Sequence, residues 1–230
     1  KNGLAELPEL LVAALGESVH TNVSISSIQK VGAGWRVDWN GKNYIYDEVL
    51  ITTPIHALDK LPFNESLQKA LQPLLAIDYS PVSVLTVAFK QSDITKPLNG
   101  FGMLVPECEG RKILGVLFPA NLFAGRAPAG EVLLTVFVGG ERQAKLAVPD
   151  KDTLLKTVLP ELNELFGTTG EPTFSYHRHW PRAIPQYNLG YGKVLAQMEA
   201  IEKKFVGLKL AGNYRDGISL TNCIEAAVSK

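Results

Sequence analysis

The chain ends in a run that constrains its fold more than any other stretch, LKLAGNYRDGISLTNCIEAAVSK at residues 208–230. The apolar residues 208–211 predict a short strand, Gly212 and Gly217 mark a turn, and the remainder is typical of a helix. A strand that turns through glycines into a helix N-terminus is suited to hold phosphate or another anion. Nucleotide turns of this kind usually open a domain, yet no GxGxxG occurs in the 230 residues. The run therefore predicts one part of a nucleotide site.

The balance of charge excludes several classes of partner. Lys and Arg total 23, as do Asp and Glu, so no net field attracts nucleic acid or an anionic membrane. The sequence contains no run of about 18 apolar residues that could cross a bilayer. Its first residues, KNGLAELPELLVAAL, lack the charged-then-apolar order of a secretory signal. We expect a cytoplasmic protein without a nucleic-acid partner.

The residues that commonly bind metals or act as nucleophiles form no complete set. Cys108 and Cys223 are far apart in sequence, which predicts two buried small residues in a reducing compartment. His177 and His179 would share one face of a strand, but no third ligand is evident, so no metal site is predicted. No GxSxG motif accompanies these histidines. We assign no catalytic side chain.

The first third of the chain predicts an α/β arrangement. Leucines and alanines at helical spacing predict a helix over 4–15. Alternating residues between 18 and 46 predict three or four strands in a meander, with Asn40-Gly41 as a hairpin turn. The contiguous apolar residues of DEVLITTP predict a strand buried on both faces, as in a parallel sheet. Helical spacing returns over 64–75.

The middle of the chain predicts an antiparallel sheet of four or five strands. Its strand-like runs are SPVSVLTVAFK, GFGMLVP, RKILGVLFPA and EVLLTVFVGG. A helix is expected over 150–166, and another over 191–205. Between them, Pro181 and Pro185 predict an extended but irregular segment. The expected fold class is α/β plus α+β, in which a β-rich insert interrupts an α/β part.

Several segments together resemble a known family. They are GLAELPELLVAALG, YDEVLITTPIHAL, the stretch GFGMLVP…ILGVLF…LFAGRAP…TVFVGG, HRHWPRAIPQYNLGY and the terminal LAGNYRDGISLTNCIEAAVSK. In this order they are similar to the bacterial FAD-dependent protoporphyrinogen oxidases, within the amine-oxidase-like flavoproteins. The resemblance extends over essentially all 230 residues.

This resemblance implies a partial FAD-binding, Rossmann-like domain with an inserted antiparallel substrate-binding domain. The implied domains are residues 1–60 and 191–230 for FAD and residues 61–190 for the substrate. Members of the family are about twice as long and carry a glycine-rich turn for the FAD pyrophosphate and a helical membrane-binding region. We expect both to lie outside these 230 residues. The 230 residues alone are then expected to bind FAD weakly and to lack oxidase activity.

The resemblance also implies a set of cofactor-binding residues. Viewed without it, Ile25 is an ordinary strand residue, Pro54 ends a strand, and Trp180 is an apolar plug. In the family, the corresponding positions lie at the adenine, near the FAD and beside the isoalloxazine ring. The final motif would direct a helix N-terminus at the flavin, which suits an anionic reduced ring. Its members here are Gly212, Asn213, Gly217, Ile218 and Ser219, of which Ser219 departs from the family by carrying a side chain.

The implied substrate-binding residues are apolar and lie in the middle sheet. Without the resemblance they would be one face of a sheet packed on a core. In the family, such positions form a pocket for a tetrapyrrole, where aliphatic side chains sandwich one ring and an aromatic one stacks on another. The residues are Phe101, Gly102, Leu104, Leu117 and Phe137.

The implied activity is oxidation of protoporphyrinogen IX or coproporphyrinogen III in heme biosynthesis, with hydride passing to FAD and on to oxygen. A peripheral membrane contact through the missing helical region and a homodimer are further expectations from the resemblance. Two alternatives remain open from the sequence. One is another amine-oxidase-like flavoprotein, such as a desaturase or an amine oxidase. The other is a non-enzymatic β-rich module that binds a partner.

Overall fold

A computed structural model describes residues 3–229 of the chain. Within them the helices are α1 Glu6–Leu15, α2 Glu65–Leu71, α3 Pro119–Leu122, α4 Lys151–Phe166, α5 Tyr191–Lys204 and α6 Leu220–Ser229. The strands are β1 Ile25–Val31, β2 Gly34–Trp39, β3 Lys42–Tyr46, β4 Val49–Ile51, β5 Tyr79–Lys90, β6 Gly102–Leu104, β7 Gly115–Leu117, β8 Glu131–Gly139, β9 Phe174–Pro185 and β10 Leu208–Leu210. The expected mixture of helices with several sheets is confirmed.

The chain divides into two compact units. The first, which we call the sheet unit, is built from Tyr79–Ile184. The second, the terminal unit, combines Leu4–Asp78 with the chain from Pro185 onward. The unit boundaries lie at 78/79 and 184/185, whereas the expected domains change at 60/61 and 190/191. The roles assigned to those domains stay predictions.

A three-stranded antiparallel meander, in the order β1-β2-β3, begins the terminal unit. Asn40 and Gly41 connect β2 to β3 with φ angles of 50° and 72°. Two successive positive φ angles are those of the tight hairpin turn that Asn-Gly favours, so the expected meander is confirmed. The buried Trp35 donates its indole N–H to the carbonyl of Val206, 3.1 Å away, and so fixes β2 to the loop before β10.

A parallel pair, β4 and β10, forms the second sheet of the terminal unit. Val49 lies opposite Leu208 and Ile51 opposite Leu210. The parallel direction expected for β4 is confirmed, but the prediction that this strand is buried on both faces is wrong. Ile51 is buried, whereas the side chain of Leu50 is 51% exposed and lines a cavity. Contiguous apolar residues indicate the type of sheet and not what covers each face.

The sheet unit contains a five-stranded sheet in the order β6-β7-β8-β5-β9. Alternate residues of β8 are buried, from Val132 to Val138. They pack with β5 against the buried stripe of α4, which runs from Leu154 to Phe166. The carboxylate of Asp150 caps α4, and Gly167 ends it with φ 64°. One face of the sheet is therefore a core, and the other lacks a covering helix within this unit.

Two further expectations are wrong. Residues 174–185 form one regular strand and not an irregular segment. Since β9 is at the edge of the sheet, Pro181 can be accommodated where a ladder N–H is not required. Cys108 is exposed and Cys223 is half-buried, so neither is the buried small residue expected from sequence.

The lengths of the helices can be compared with the thickness of a bilayer. None of the helices within residues 3–229 combines the length and the apolar character needed to cross a bilayer.

The helix predicted over 64–75 ends at Leu71, and the chain continues as a 3-10 turn, Gln72–Ala76, which has Pro73 in its first turn.

Candidate functional site

The parallel pair β4–β10 opens into a cavity at its carboxyl end. Thr52, Thr53 and Pro54 follow β4, and Gly212 follows β10, so both connections leave the same edge of the sheet. Ligands of open α/β sheets bind at such edges. The cavity has a volume of about 540 Å³ and is lined mainly by small or apolar residues. They are Leu50, Thr52, Thr53, Pro54, Ala211, Gly212, Asn213, Tyr214, Ile218, Leu220, Cys223, Ala226 and Ala227.

An ion pair holds the loop between β10 and α6 in place. The guanidinium of Arg215 bonds both carboxylate oxygens of Glu202 on α5, one of them at 3.0 Å, and the carbonyl of Leu210 at 2.8 Å. Glu202 also accepts the backbone N–H of Leu210 at 2.7 Å. The Glu202 carboxylate raises the pKa of Arg215. These bonds fix the end of β10, and with it the start of the cavity wall, relative to α5.

Two stacked tyrosines secure the same loop from its other side. The Tyr187 hydroxyl donates to the carbonyl of Asn213 and accepts the backbone N–H of Gly217 at 3.2 Å. The Tyr191 hydroxyl donates to the carbonyl of Tyr214, and the rings of Tyr187 and Tyr191 stack with centroids 4.6 Å apart. Burial raises the pKa of Tyr187. Neither tyrosine is among the predicted site residues, although both belong to the segment HRHWPRAIPQYNLGY that carried the resemblance.

Ser219 acts as the N-cap of α6. Its hydroxyl accepts the backbone N–H of Asn222 at 3.1 Å and donates to the side-chain oxygen of the same residue, while its carbonyl accepts from Cys223. Gly217 has φ 115°, and a Cβ there would lie 2.7 Å from the Asn222 side chain. The departure at Ser219 is thus explained locally, because the hydroxyl is used to begin the helix.

The residues around the cavity fit a flat ligand with a polar edge. The glycine and alanine residues leave room for a ring. The N-terminus of α6, where Ser219 caps the N–H of Asn222, has its positive dipole end beside Ile218 and Leu220 of the lining. The hydroxyl oxygen of Thr53 is buried and has no hydrogen-bond partner among residues 3–229. A flavin, which has an apolar ring and a pyrimidine edge rich in acceptors and donors, meets these conditions.

The structure brings together some of the predicted cofactor residues and not others. Pro54, Gly212, Asn213 and Ile218 line the cavity, and Gly217 and Ser219 shape the start of α6 beside it. Ile25 begins β1 opposite Trp39 and does not contribute to the lining. Trp180 belongs to β9 of the sheet unit. The cofactor roles of all these residues stay predictions.

A second, smaller cavity of about 200 Å³ lies on the open face of the five-stranded sheet; we call it the hollow. Cross-strand register explains how its residues meet. Leu104 lies opposite Gly115, which lies opposite Phe137. Gly102 lies opposite Leu117 in the next row. The hollow is lined by Val82, Met103, Leu104, Leu114, Gly115, Val116, Leu117, Phe137 and Ile184.

Three of the five predicted substrate residues line this hollow: Leu104, Leu117 and Phe137. Leu104 is 86% exposed and Phe101 is 64% exposed, both large apolar side chains available to a ligand. Gly102 does not line the hollow, and a Cβ at this position would lie 2.4 Å from the carbonyl oxygen of Val116. The glycine permits the close approach of β6 to β7. The substrate-binding roles stay predictions.

His177 and His179 share one partner on the opposite face of the sheet. The buried Ser83 hydroxyl donates to the carbonyl of Ala147 and lies 2.8 Å from Nε2 of His177 and 3.3 Å from Nδ1 of His179. Burial and the neighbouring imidazole lower the pKa of His177. Among residues 3–229, no three His, Cys, Asp or Glu side chains are grouped as metal ligands.

Comparison with known proteins places these features in a family. The family model described as flavin containing amine oxidoreductase matches residues 1–229. Protoporphyrinogen oxidase, mitochondrial, of Nicotiana tabacum is 36% identical over 79% of this chain and 37% of its own length. Protoporphyrinogen oxidase 2 of Arabidopsis thaliana is 31% identical over 98% of this chain and 47% of its own length. Coproporphyrinogen III oxidase of Staphylococcus aureus is 24% identical over 97% and 48%.

Solved structures agree on the fold. A crystal structure of an Exiguobacterium sp. 255-15 protein assigned as a protoporphyrinogen oxidase superposes with a TM-score of 0.79 at 23% identity, over 99% of this chain and 49% of that one. Putrescine oxidase bound to putrescine superposes with a TM-score of 0.63 at 14% identity, over 92% and 47%. The chain spans about half the length of the curated relatives it matches. The resemblance found in the sequence is confirmed: the chain belongs to the flavin containing amine oxidoreductase family.

Proposed function

We propose that this chain is part of an FAD-dependent oxidase that converts protoporphyrinogen IX, or coproporphyrinogen III, to the porphyrin in heme biosynthesis. The curated relatives that carry these names support the substrate class. The terminal unit would form one wall of the FAD site, and the sheet unit would hold the tetrapyrrole. The observation that carries the proposal is the hollow, where Leu104, Leu117 and Phe137 meet on the uncovered face of the sheet.

In the terminal unit, the cavity beside β4 and β10 would receive the flavin. Gly212 and Asn213 would approach the ring with backbone atoms, because a glycine presents no side chain there. The N-terminus of α6 would direct its N–H groups and positive dipole end at the pyrimidine edge. Arg215, Glu202 and Tyr187 would hold this wall without contacting the ligand.

In the sheet unit, apolar contact would orient the substrate. Porphyrinogens are large and largely apolar, so shape and stacking contribute most of their binding energy. The bound flavin supplies the acceptor for hydride from the substrate. The chain's own side chains would position the macrocycle and exclude water from it, and no side chain of the hollow is required to transfer a proton.

The test is the colour and activity of the complete protein that contains this chain. We expect it to purify with a flavin absorption band and to convert protoporphyrinogen IX to fluorescent porphyrin with consumption of oxygen. Parallel assays with coproporphyrinogen III decide between the two substrates. A colourless protein that takes up no added FAD would contradict the proposal.

The expected weakness of the 230 residues on their own gives a second measurement. Because half of the length of the relatives lies outside this match, we expect residues 1–230 to retain little FAD after gel filtration and to show no oxidase turnover. Retention of stoichiometric flavin by residues 1–230 would mean that the cavity of the terminal unit holds most of the cofactor alone.

A further inference from the structure

Strand β9 presents two arginines on the same open face as the hollow. Its residues at even positions from Phe174 to Ile184 are all exposed, and Ile184 lines the hollow. Successive residues of a strand point to opposite faces, so Arg178 and Arg182 share the face of Ile184. Both cationic side chains therefore lie along one edge of an apolar surface.

The contacts of Ser83 locate Arg178 along that edge. Ser83 on β5 reaches His177 and His179 on the core face of the sheet. The residues next to them point to the open face, which brings Arg178 and Trp180 beside Val82 and Val84. Val82 lines the hollow, and Val84 pairs with Phe137. Arg178 and Trp180 thus lie next to Val82, one of the residues that line the hollow, although they do not line it themselves.

The guanidinium of Arg178 contacts an aromatic ring. The guanidinium of Arg178 lies 4.6 Å from the centre of the Trp180 ring, a stacking that restrains its orientation. Among residues 3–229, neither Arg178 nor Arg182 pairs with a carboxylate, whereas Arg111 bonds Glu161 at 2.9 Å. On the open-face positions of β5 and β8, the acidic residue is Glu131, opposite Lys90 and six residues from Phe137. That separation is about 20 Å.

We propose that Arg178, held on Trp180, and Arg182 form a carboxylate-binding edge of the hollow, which takes the acidic side groups of a ring-shaped apolar ligand. The inference rests on the proposed function, because the acidic groups are those of the tetrapyrrole. An unpaired guanidinium beside an apolar surface offers a planar pair of donors that matches a carboxylate. The arginines orient the macrocycle over Leu117 and Phe137 and take no part in its oxidation.

Porphyrin titration of the complete protein tests this edge. The probes are protoporphyrin IX and its dimethyl ester in one detergent buffer, followed by the change in Soret absorption. We expect Arg178→Gln and Arg182→Gln each to weaken binding of the free acid about 10-fold, the low end of the loss for a hydrogen bond to a charged group. Binding of the ester should be unchanged in both. Lys90→Gln, which removes one positive charge from the far end of the same face, is the matched control and should bind the acid normally.

Arg178→Lys separates charge from geometry. It keeps the cation but loses the planar fork, so we expect an affinity for the acid between those of the wild type and Arg178→Gln. Free-acid affinities that are equal in the wild type and both glutamine variants would overturn the carboxylate edge and leave the proposed function intact. A wild-type protein that binds neither porphyrin would contradict both.

Discussion

The cavity beside β4 and β10 and the hollow on the five-stranded sheet are held by different forces. The first is a wall of small residues and backbone, fixed by hydrogen bonds that Glu202 accepts and Tyr187 donates. The second is a surface of apolar side chains, supported by the core that β5, β8 and α4 form on the opposite face. Removal of one hydrogen-bonding side chain should therefore distort the cavity wall. The hollow should keep its shape unless packing in the core beneath it is lost.

The largest effect is expected from the core of the sheet unit. Leu134 is fully buried within the cluster that packs on α4. Leu134→Ala should lower the free energy of unfolding by about 3 kcal/mol, through lost burial and the cavity left behind. Leu117→Ala, on the open face, should cost less than about 1 kcal/mol while weakening porphyrin binding. Urea unfolding of both variants checks this; equal losses would mean that the open face is also a core.

The next effect tests the ion pair of the terminal unit. The side chains of Arg215 and Glu202 are 15% and 20% exposed. Glu202→Gln leaves Arg215 without its counter-charge, and we expect about 2 kcal/mol of destabilisation, less than for a fully buried pair because water still reaches it. The flavin retained by the complete protein after gel filtration should fall as well.

A double-mutant cycle isolates this pair. If the contact itself matters, Arg215→Gln and Glu202→Gln together should cost less than the sum of the two single changes. Additive losses would show that the two residues act separately and that the polar support proposed for this wall does not exist.

The contrast also explains what the sequence could predict. Alternation along β8 and the turn at Asn40-Gly41 are local, so the meander and the middle sheet follow from the pattern of residues. Tyr187 meets Asn213 across 26 residues, and Arg215 meets Glu202 across 13. Such contacts depend on how elements pack, which periodicity does not encode. The prediction that β4 is buried on both faces failed at Leu50 for the same reason, because a run of apolar residues does not reveal which elements pack on each face.

A smaller effect is expected at Tyr187. Tyr187→Phe removes the hydroxyl that bonds the carbonyl of Asn213 and the N–H of Gly217 while keeping the ring stacked on Tyr191. We expect a loss of about 1 kcal/mol in stability and faster flavin release, with porphyrin binding unchanged. Tyr176→Phe, on an exposed position of β9, is the matched control. Flavin release at the wild-type rate would show that the loop keeps its shape without this hydroxyl.

The smallest effect concerns acid and the sheet unit. Asp150 accepts the N–H groups of Asp152 and Thr153 at 2.9 and 3.0 Å, and these bonds, chiefly those from Thr153, lower the pKa of Asp150. A carboxyl whose pKa is lower in the folded state stabilises the fold above its unfolded pKa, and that contribution is lost as the pH falls through the folded value.

Asp150→Asn keeps a side-chain oxygen to cap α4 but removes the charge, so stability should decline less steeply with acid than in the wild type. Asp152→Asn, which removes a charge from the same helix turn but leaves the Asp150 cap in place, is the control variant. Urea midpoints measured between neutral pH and pH values below the usual range of a carboxyl compare the two variants. Identical slopes for Asp150→Asn and the wild type would mean that the charge of Asp150 adds nothing to the stability of the sheet unit beyond the cap that either side chain supplies.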